Sequence, residues 1–402
     1  MSLKRQQVQY ISGAHRRLRR MGLYVHVPFC AKKCAYCDFY SLTDPSAMDD
    51  YIKALAVDFR RSRADLAGAC VETVYFGGGT PGILGPKRLA WLLQKMRRAF
   101  EFTSDAEITL ETNPATLRFE DYQKLRRAGF NRISFGVQSL NDSELKRLGR
   151  IHNSKEAELA VRDARRAGFE NISIDIMFGL PGQTEESLLT TLAHARDLEP
   201  DHISFYGLKI EEGTHFYDIK DALDLPDEDL YAKLYLSGAQ KLCDMGYAQY
   251  EISNFAKEGF ACRHNLKYWK LNEYIGFGPA AHSFINATRY GLTRDLTGYI
   301  NAVRNGTLPE RSEEELIEPE AQIREYVMMS LRLTDGINRM VFEARFGQSF
   351  EKVDEFFTRI SKGGLAERTE YGWRLTMKGF LISNTIIVKL LEYAIDNKFK
   401  AN

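Results

Sequence analysis

Between Leu23 and Leu208 the chain alternates short apolar, β-branched runs with longer stretches whose apolar residues recur every third or fourth position. The first kind reads as strand and the second as amphipathic helix, because side chains change face at every residue in a strand and return to one face after about 3.6 residues in a helix. The spacing predicts strands at Leu23–Val27, Val71–Phe76, Glu107–Glu111, Arg132–Val137, Ile172–Met177 and His202–Leu208, with helices near 47–66, 86–100, 119–128, 154–167 and 184–198. Alternating βα units imply a parallel sheet with helices outside it. An internal echo supports this: Arg126-Arg-Ala-Gly-Phe-Asn-Arg-Ile-Ser134 returns as Arg165-Arg-Ala-Gly-Phe-Glu-Asn-Ile-Ser173, a helix end, a capping glycine and a strand start in each copy. The expected fold class is therefore α/β, a partial (β/α)6 TIM-like barrel, open rather than closed at eight strands.

Beyond Leu208, a helix near 227–245 follows Pro226 and stops at Gly246. The stretch 251–312 resists classification and reads as a connector. From 313 onward, helical patterns near 319–334, 338–346 and 350–362 precede a hairpin over Leu365–Thr376 that turns at Glu370-Tyr371-Gly372, with a last helix from 377. This is the pattern of a smaller, winged-helix-like α+β domain, so the chain divides into a basic, disordered tail (1–21), the barrel (22–250), the connector (251–312) and a C-terminal domain (313–402).

Charge narrows the function. Lys and Arg number 55 against 54 Asp and Glu, leaving no global attraction for nucleic acid. On the candidate recognition helix, Lys352, Arg359 and Lys362 are offset by Glu351, Asp354 and Glu355, so the C-terminal domain reads as a packing or cap element. No apolar run approaches the roughly 18 residues that a transmembrane helix needs. The first twenty residues carry Lys4, Arg5, Arg16, Arg17, Arg19 and Arg20 and no acid, which suits a basic tail better than an organelle transit segment; Met21 is an alternative start.

Three of the six cysteines fall within eight residues, in Tyr24-Val-His-Val-Pro-Phe-Cys30-Ala-Lys-Lys-Cys34-Ala-Tyr-Cys37-Asp-Phe39, on a loop at the carboxyl end of the first strand. Cys70, Cys243 and Cys262 are scattered, which argues against a secreted disulfide framework and for a metal site in a reducing, cytoplasmic setting. Zinc is the main rival, but no second cysteine pair or following histidine pair completes four ligands. Three thiolates on one short loop suit a 4Fe-4S cluster with one iron left without a protein ligand. Later strand ends supply Phe76-Gly77-Gly78-Gly79-Thr80-Pro81, Glu111 before Thr112-Asn113-Pro114, Gln138, Arg150, and Asp175 in an apolar run before Gly179-Leu-Pro-Gly-Gln183. Consecutive glycines admit close approach of a ligand to the backbone, and a carboxylate in an apolar strand demands a partner.

The cysteine run resembles the radical S-adenosylmethionine (SAM) superfamily. That likeness implies that Cys30, Cys34 and Cys37 hold three irons, that SAM chelates the fourth, and that reduction of the sulfonium yields a 5′-deoxyadenosyl radical. From Tyr24 to about Thr184 the chain is similar to oxygen-independent coproporphyrinogen III oxidases. By this resemblance Tyr24, Gly78, Gly79, Thr80, Glu111, Gln138, Arg150 and Asp175 contact SAM, with Arg150 on the methionine carboxylate and Gln138 and Asp175 on the ribose.

Two departures point away from oxidative decarboxylation: Phe39 stands where the oxidases carry a further cysteine, and only a short basic stretch precedes Leu23. The chain resembles instead the radical SAM haem chaperones, marked by His-Asn-x-x-Tyr-Trp, here Cys262-Arg-His264-Asn265-Leu-Lys-Tyr268-Trp269. That resemblance implies haem as cargo, a haem-accepting protein as partner, and His264 as the candidate iron ligand within a motif of His264, Asn265, Tyr268 and Trp269. Arg263 and Lys267 are candidates for the propionates, and Cys262 for attachment. A glycine-rich turn with a second histidine follows, Tyr274-Ile-Gly276-Phe-Gly278-Pro279-Ala-Ala-His282-Ser283. Coproporphyrinogen decarboxylation and another radical reaction stay open as alternatives, as do SAM turnover, a homodimer and a membrane-associated acceptor.

Overall fold

A computed structural model describes residues 19–64 and 66–396. Residues 1–18 of the expected basic tail lie outside the described residues; Arg19, Arg20 and Met21, assigned to that tail from the sequence, instead begin the first strand.

Six strands alternate with helices in the predicted order. They are β1 (Arg19–Val27), α1 (Met48–Arg61), β2 (Ala69–Gly78), α2 (Gly85–Ala99), β3 (Glu101–Thr112), α3 (Phe119–Ala128), β4 (Arg132–Gln138), α4 (Asp142–Arg147), α5 (Ser154–Arg166), β5 (Asn171–Phe178), α6 (Glu185–Asp197) and β6 (His202–Gly207). All five neighbouring pairs from β1 to β6 are parallel. The repeated Arg-Arg-Ala-Gly-Phe segments close α3 and α5, and Gly129 (φ 111°) and Gly168 (φ 95°) take the left-handed conformation that glycine tolerates best.

The connector is structural rather than a linker. After α7 (His215–Asp218) and α8 (Glu228–Asp244) come β7 (Ala248–Glu251), β8 (Asn254–Ala256), α9 (Arg263–Trp269), β9 (Tyr274–Phe277), β10 (His282–Ile285), β11 (Thr288–Leu292), α10 (Leu296–Asn305) and β12 (Arg311–Leu316). β9 pairs in parallel with β1, and β10 to β12 extend that edge antiparallel, while β8 and β7 extend the other edge from β6. The result is an open, curled sheet of twelve strands.

The remaining residues form a separate layer: α11 (Pro319–Ser330), β13 (Ile337–Asn338), α12 (Arg339–Phe346), α13 (Glu351–Ser361), β14 (Ala366–Arg368), β15 (Gly372–Leu375), α14 (Met377–Leu381) and α15 (Ser383–Leu390). β13, β15 and β14 make a small antiparallel sheet against these helices, the winged-helix-like arrangement expected.

Strand alternation decides what the barrel encloses. Leu23, Val25, Val74, Phe76, Ile108, Leu110, Ile133, Phe135, Ile172, Ile174, Ile203 and Phe205 are buried in one apolar core under the helices. The intervening positions point inward, and the register stacks them in layers: Tyr24 beside Tyr75, Tyr75 beside Thr109, Glu111 beside Ser134, Asp175 beside Ser204. Parallel strands buried on both faces are usually apolar throughout. A polar lumen is costly unless its groups pair with one another or with a ligand.

Candidate functional site

The loop after β1 carries Cys30, Cys34 and Cys37, all free and half-buried. It is fastened to the turn after β2: Gly79 N–H donates to Val27 C=O at 2.9 Å and Thr80 N–H to Phe29 C=O at 2.8 Å. Glycine is required there, since a Cβ on Gly79 would lie 2.6 Å from Phe29 O and 3.1 Å from Cys30 Sγ. Thr80 Oγ1 also sits 3.4 Å from Cys30 Sγ. The Arg150 guanidinium donates to Cys34 Sγ at 3.3 Å, to Asn113 Oδ1 at 2.6 Å and to Gly136 O at 2.5 Å. Asn113 in turn donates to Thr80 Oγ1 at 3.0 Å. Asn113 therefore joins the β2 turn to the arginine that touches the cysteine loop, a role the sequence reading did not assign to it.

Below this rim lie the two inward carboxyls. Burial pushes Glu111 up to about 7, with the charge of Asp175 adding to the shift and the Tyr75 hydroxyl, which donates to it, opposing. Burial likewise raises Asp175 to about 6, against hydrogen bonds from Ser204 and Ser134. Tyr24 is half-buried beside them, its hydroxyl 3.2 Å from His26 Nδ1. Gln138 has φ +69°, a strained value for a residue with a side chain, and its amide nitrogen would lie 3.0 Å from a Cβ at Gly136. Tyr24, Gly78, Gly79, Thr80, Glu111, Gln138, Arg150 and Asp175 thus converge on the carboxyl-end mouth of one barrel, where ligands of such folds bind. A cavity of about 250 Å³ opens beside Cys34, lined by Thr80, Ile83, Asn113, Arg150 and Ile151 among others.

The donor set suits an iron–sulfur cluster and SAM. Three soft thiols share one loop beside the half-buried Arg150, whose buried Nε has no hydrogen-bond partner among the described residues. No group of three Cys, His, Asp or Glu side chains among the described residues is placed to hold a metal ion. A cubane spreads its thiolates over separate irons.

The second motif lies at the opposite end of the barrel. α9 plugs the floor, its first N–H groups held by the Glu107 carboxylate, which accepts from Arg263 N and His264 N at 3.1 Å each. His264 is fully buried, with Nδ1 2.8 Å from Thr73 Oγ1 and Nε2 2.8 Å from Tyr268 Oη. Burial lowers it to about 3, so it is neutral. Both ring nitrogens of His264, the residue the family resemblance offers as haem-iron ligand, are thus engaged within the protein in this structure. Lys267 is buried against Glu72, and Arg263, 36% exposed, bonds to Asp105. Cys262 is fully buried and its thiol, pushed up to about 12 by burial, is not presented for attachment. Asn265 and Trp269 are half-buried on the same plug. Arg132, buried beneath these groups, was also missed; its only signal was a cation opening an apolar strand.

A model of the radical SAM superfamily matches residues 24–195, and one of the HemN C-terminal domain matches residues 317–382. The chain is 36% identical over 368 residues to heme chaperone HemW of Bacillus subtilis (strain 168), covering 90% of this chain and 97% of that one. It is 37% identical over 378 residues to heme chaperone HemW of Escherichia coli (strain K12), covering 92% and 98%. The chain belongs to the radical SAM heme chaperone family. Among solved structures, coproporphyrinogen III oxidase HemN of Escherichia coli, a radical SAM enzyme, superposes with a TM-score of 0.80 at 25% identity, over 94% of this chain and 91% of that one. Family membership brings with it a 4Fe-4S cluster and SAM. Among the described residues no helix is long and apolar enough to cross a membrane.

Proposed function

We propose that this protein binds haem and passes it to an acceptor haemoprotein in the cytoplasm, using a 4Fe-4S cluster and SAM held at the carboxyl-end mouth of its barrel. The carrying observation is similarity to haem chaperones along nearly the whole chain, joined to Phe39 in place of a further cysteine. In this reading Cys30, Cys34 and Cys37 hold the cluster, and Tyr24, Gly78, Gly79, Thr80, Glu111, Gln138, Arg150 and Asp175 hold SAM. When bound, the cluster supplies an electron to the sulfonium.

The protein's own contribution is placement. Arg150, fixed by Asn113 and Gly136, keeps an unpartnered Nε–H beside the cysteine loop, a charge-assisted donor suited to a carboxylate. Gly78 and Gly79 let the turn pack against the His26 ring and the cysteine loop, which a Cβ at either position would strike. Glu111 and Asp175, whose proton affinities burial raises, line the same lumen and accept hydroxyl donors when ionised.

Two assays on anaerobically reconstituted protein test the proposal. Haem titration followed by absorbance is expected to give saturable binding, and transfer to an apo-haemoprotein should follow. Incubation with coproporphyrinogen III, reductant and SAM is expected to yield no protoporphyrinogen. Protoporphyrinogen formation would establish the oxidase reading that the HemN likeness favours, and absence of haem binding would defeat the carrier.

A further inference from the structure

The floor plug leaves His264 without a free nitrogen, so a haem carrier of this fold needs its iron ligand elsewhere. The glycine-rich turn after β9 supplies one. His282 opens β10 and is exposed. Its ring has no hydrogen-bond partner among the described residues, so one nitrogen of a neutral imidazole is available as a metal ligand.

Sheet register fixes the direction of this side chain. Gly22 pairs with Tyr274 and Tyr24 with Gly276, so Tyr274 shares the inward face of β1 with Tyr24 and His26. Phe284 pairs with Tyr274, and His282 lies two residues from Phe284 on the same strand, hence on that face. Opposite it, β11 carries Gly291, and the imidazole lies over it: a Cβ there would come within 3.0 Å of His282 Cε1. The concave surface that holds Tyr24 and His26 therefore continues across β9 to an open histidine.

The cysteine loop meets the same place. His26 Nε2 lies 2.8 Å from Tyr40 O, and Arg294 and His282 stand near enough to His26 to disfavour its protonated form. Arg294 reaches Asp38 at 3.6 Å, with 62% of its side chain exposed. Between Asp38 and Tyr40 stands Phe39, 66% exposed beside the three cysteines. An exposed imidazole, a bare aromatic ring and a loosely paired guanidinium make up the chemistry a haem requires: an iron ligand, an apolar face for the macrocycle and a cation for a propionate.

We propose that His282 is the axial ligand of the cargo haem, with Phe39 against the macrocycle and Arg294 on a propionate. The inference rests on the carrier reading, and the experiment separates the two. Haem is titrated into reconstituted full-length protein, into His282→Ala and into Arg294→Glu, with absorbance and electron paramagnetic resonance of the ferric complexes. His282→Ala is expected to lose the wild-type low-field and Soret signature and to bind at least roughly tenfold more weakly, with free imidazole restoring the signature. Arg294→Glu is expected to weaken binding while keeping the wild-type signature. The exposed positions leave the fold intact, which circular dichroism checks. Wild-type binding with an unchanged His282→Ala spectrum and affinity overturns the assignment and leaves the carrier reading standing. No binding by wild type overturns both.

Discussion

Replacing His264 by alanine distinguishes a buried strut from a haem ligand. The side chain makes two hydrogen bonds of 2.8 Å, to Thr73 and Tyr268. Each is worth about 1 kcal/mol net, and the Thr73 hydroxyl, left buried without a partner, costs about 1–3 kcal/mol more. Loss of the imidazole also opens a cavity against Tyr75, whose ring stacks on it at 5.2 Å. The sum is at least about 3 kcal/mol, an apparent Tm lowered by about 4–6 °C for a domain of this size. Differential scanning fluorimetry of the reconstituted protein reads this directly, and His264→Gln, which keeps a donor and an acceptor, should recover part of the loss. The wild-type haem spectrum should survive in whatever fraction of His264→Ala folds. A variant with undiminished Tm that loses the haem signature refutes the argument, because that pattern belongs to a ligand and not to a strut.

Other consequences follow from the same geometry. Gly79→Ala drives a methyl group into Phe29 O and Val27 O, so iron and sulfide per chain after reconstitution should fall well below wild type with secondary structure retained. Arg150→Lys gives up the fork to Asn113 and Gly136; SAM affinity by equilibrium dialysis should drop at least roughly tenfold, and Asn113→Ala should do the same more weakly. The pH dependence of stability has two opposing parts. His26 and His152, each lowered to about 4, and His264, lowered to about 3, stay neutral when folded and gain protons on unfolding below their ordinary value near 6.5, so they remove stability as pH falls. Glu111 and Glu251, raised to about 7, and Asp175, raised to about 6, bind protons more tightly when folded, so their contribution is full at low pH and is lost as pH rises through those values. The parts offset between about pH 4.5 and 6.5, and below about 4.5 only the histidine part continues. Apparent Tm of the apoprotein should therefore change little across the upper window and fall steeply below it, with a shallower fall in His264→Gln.

Much of this was written in local chemistry. The alternation of apolar runs with three-to-four-residue periodicity gave six βα units, because strand and helix each impose a period on any face they bury. The cysteine spacing and the Gly-Gly-Gly-Thr-Pro turn announced a cluster loop and a close backbone approach, since both depend on residues adjacent in the chain. The inward polar positions of β1 to β6 were visible too, as single polar residues interrupting apolar strands, Glu111 and Asp175 above all.

Only the tertiary structure decided which end of the barrel each motif occupies. The sequence between Cys262 and Trp269 looks like a ligand cluster, but α9 enters the floor, and Glu107, Thr73 and Tyr268, distant from one another in the chain, consume its donors and acceptors. Conversely, His282 carries no local mark beyond a glycine-rich turn. Its meaning comes from the pairing of β9 with β1 and of β10 with β9, which sets it on the lumen face near the cysteine loop. Periodicity reports the face of one element at a time; whether a polar side chain is satisfied, buried or open depends on long-range pairing that no local pattern encodes.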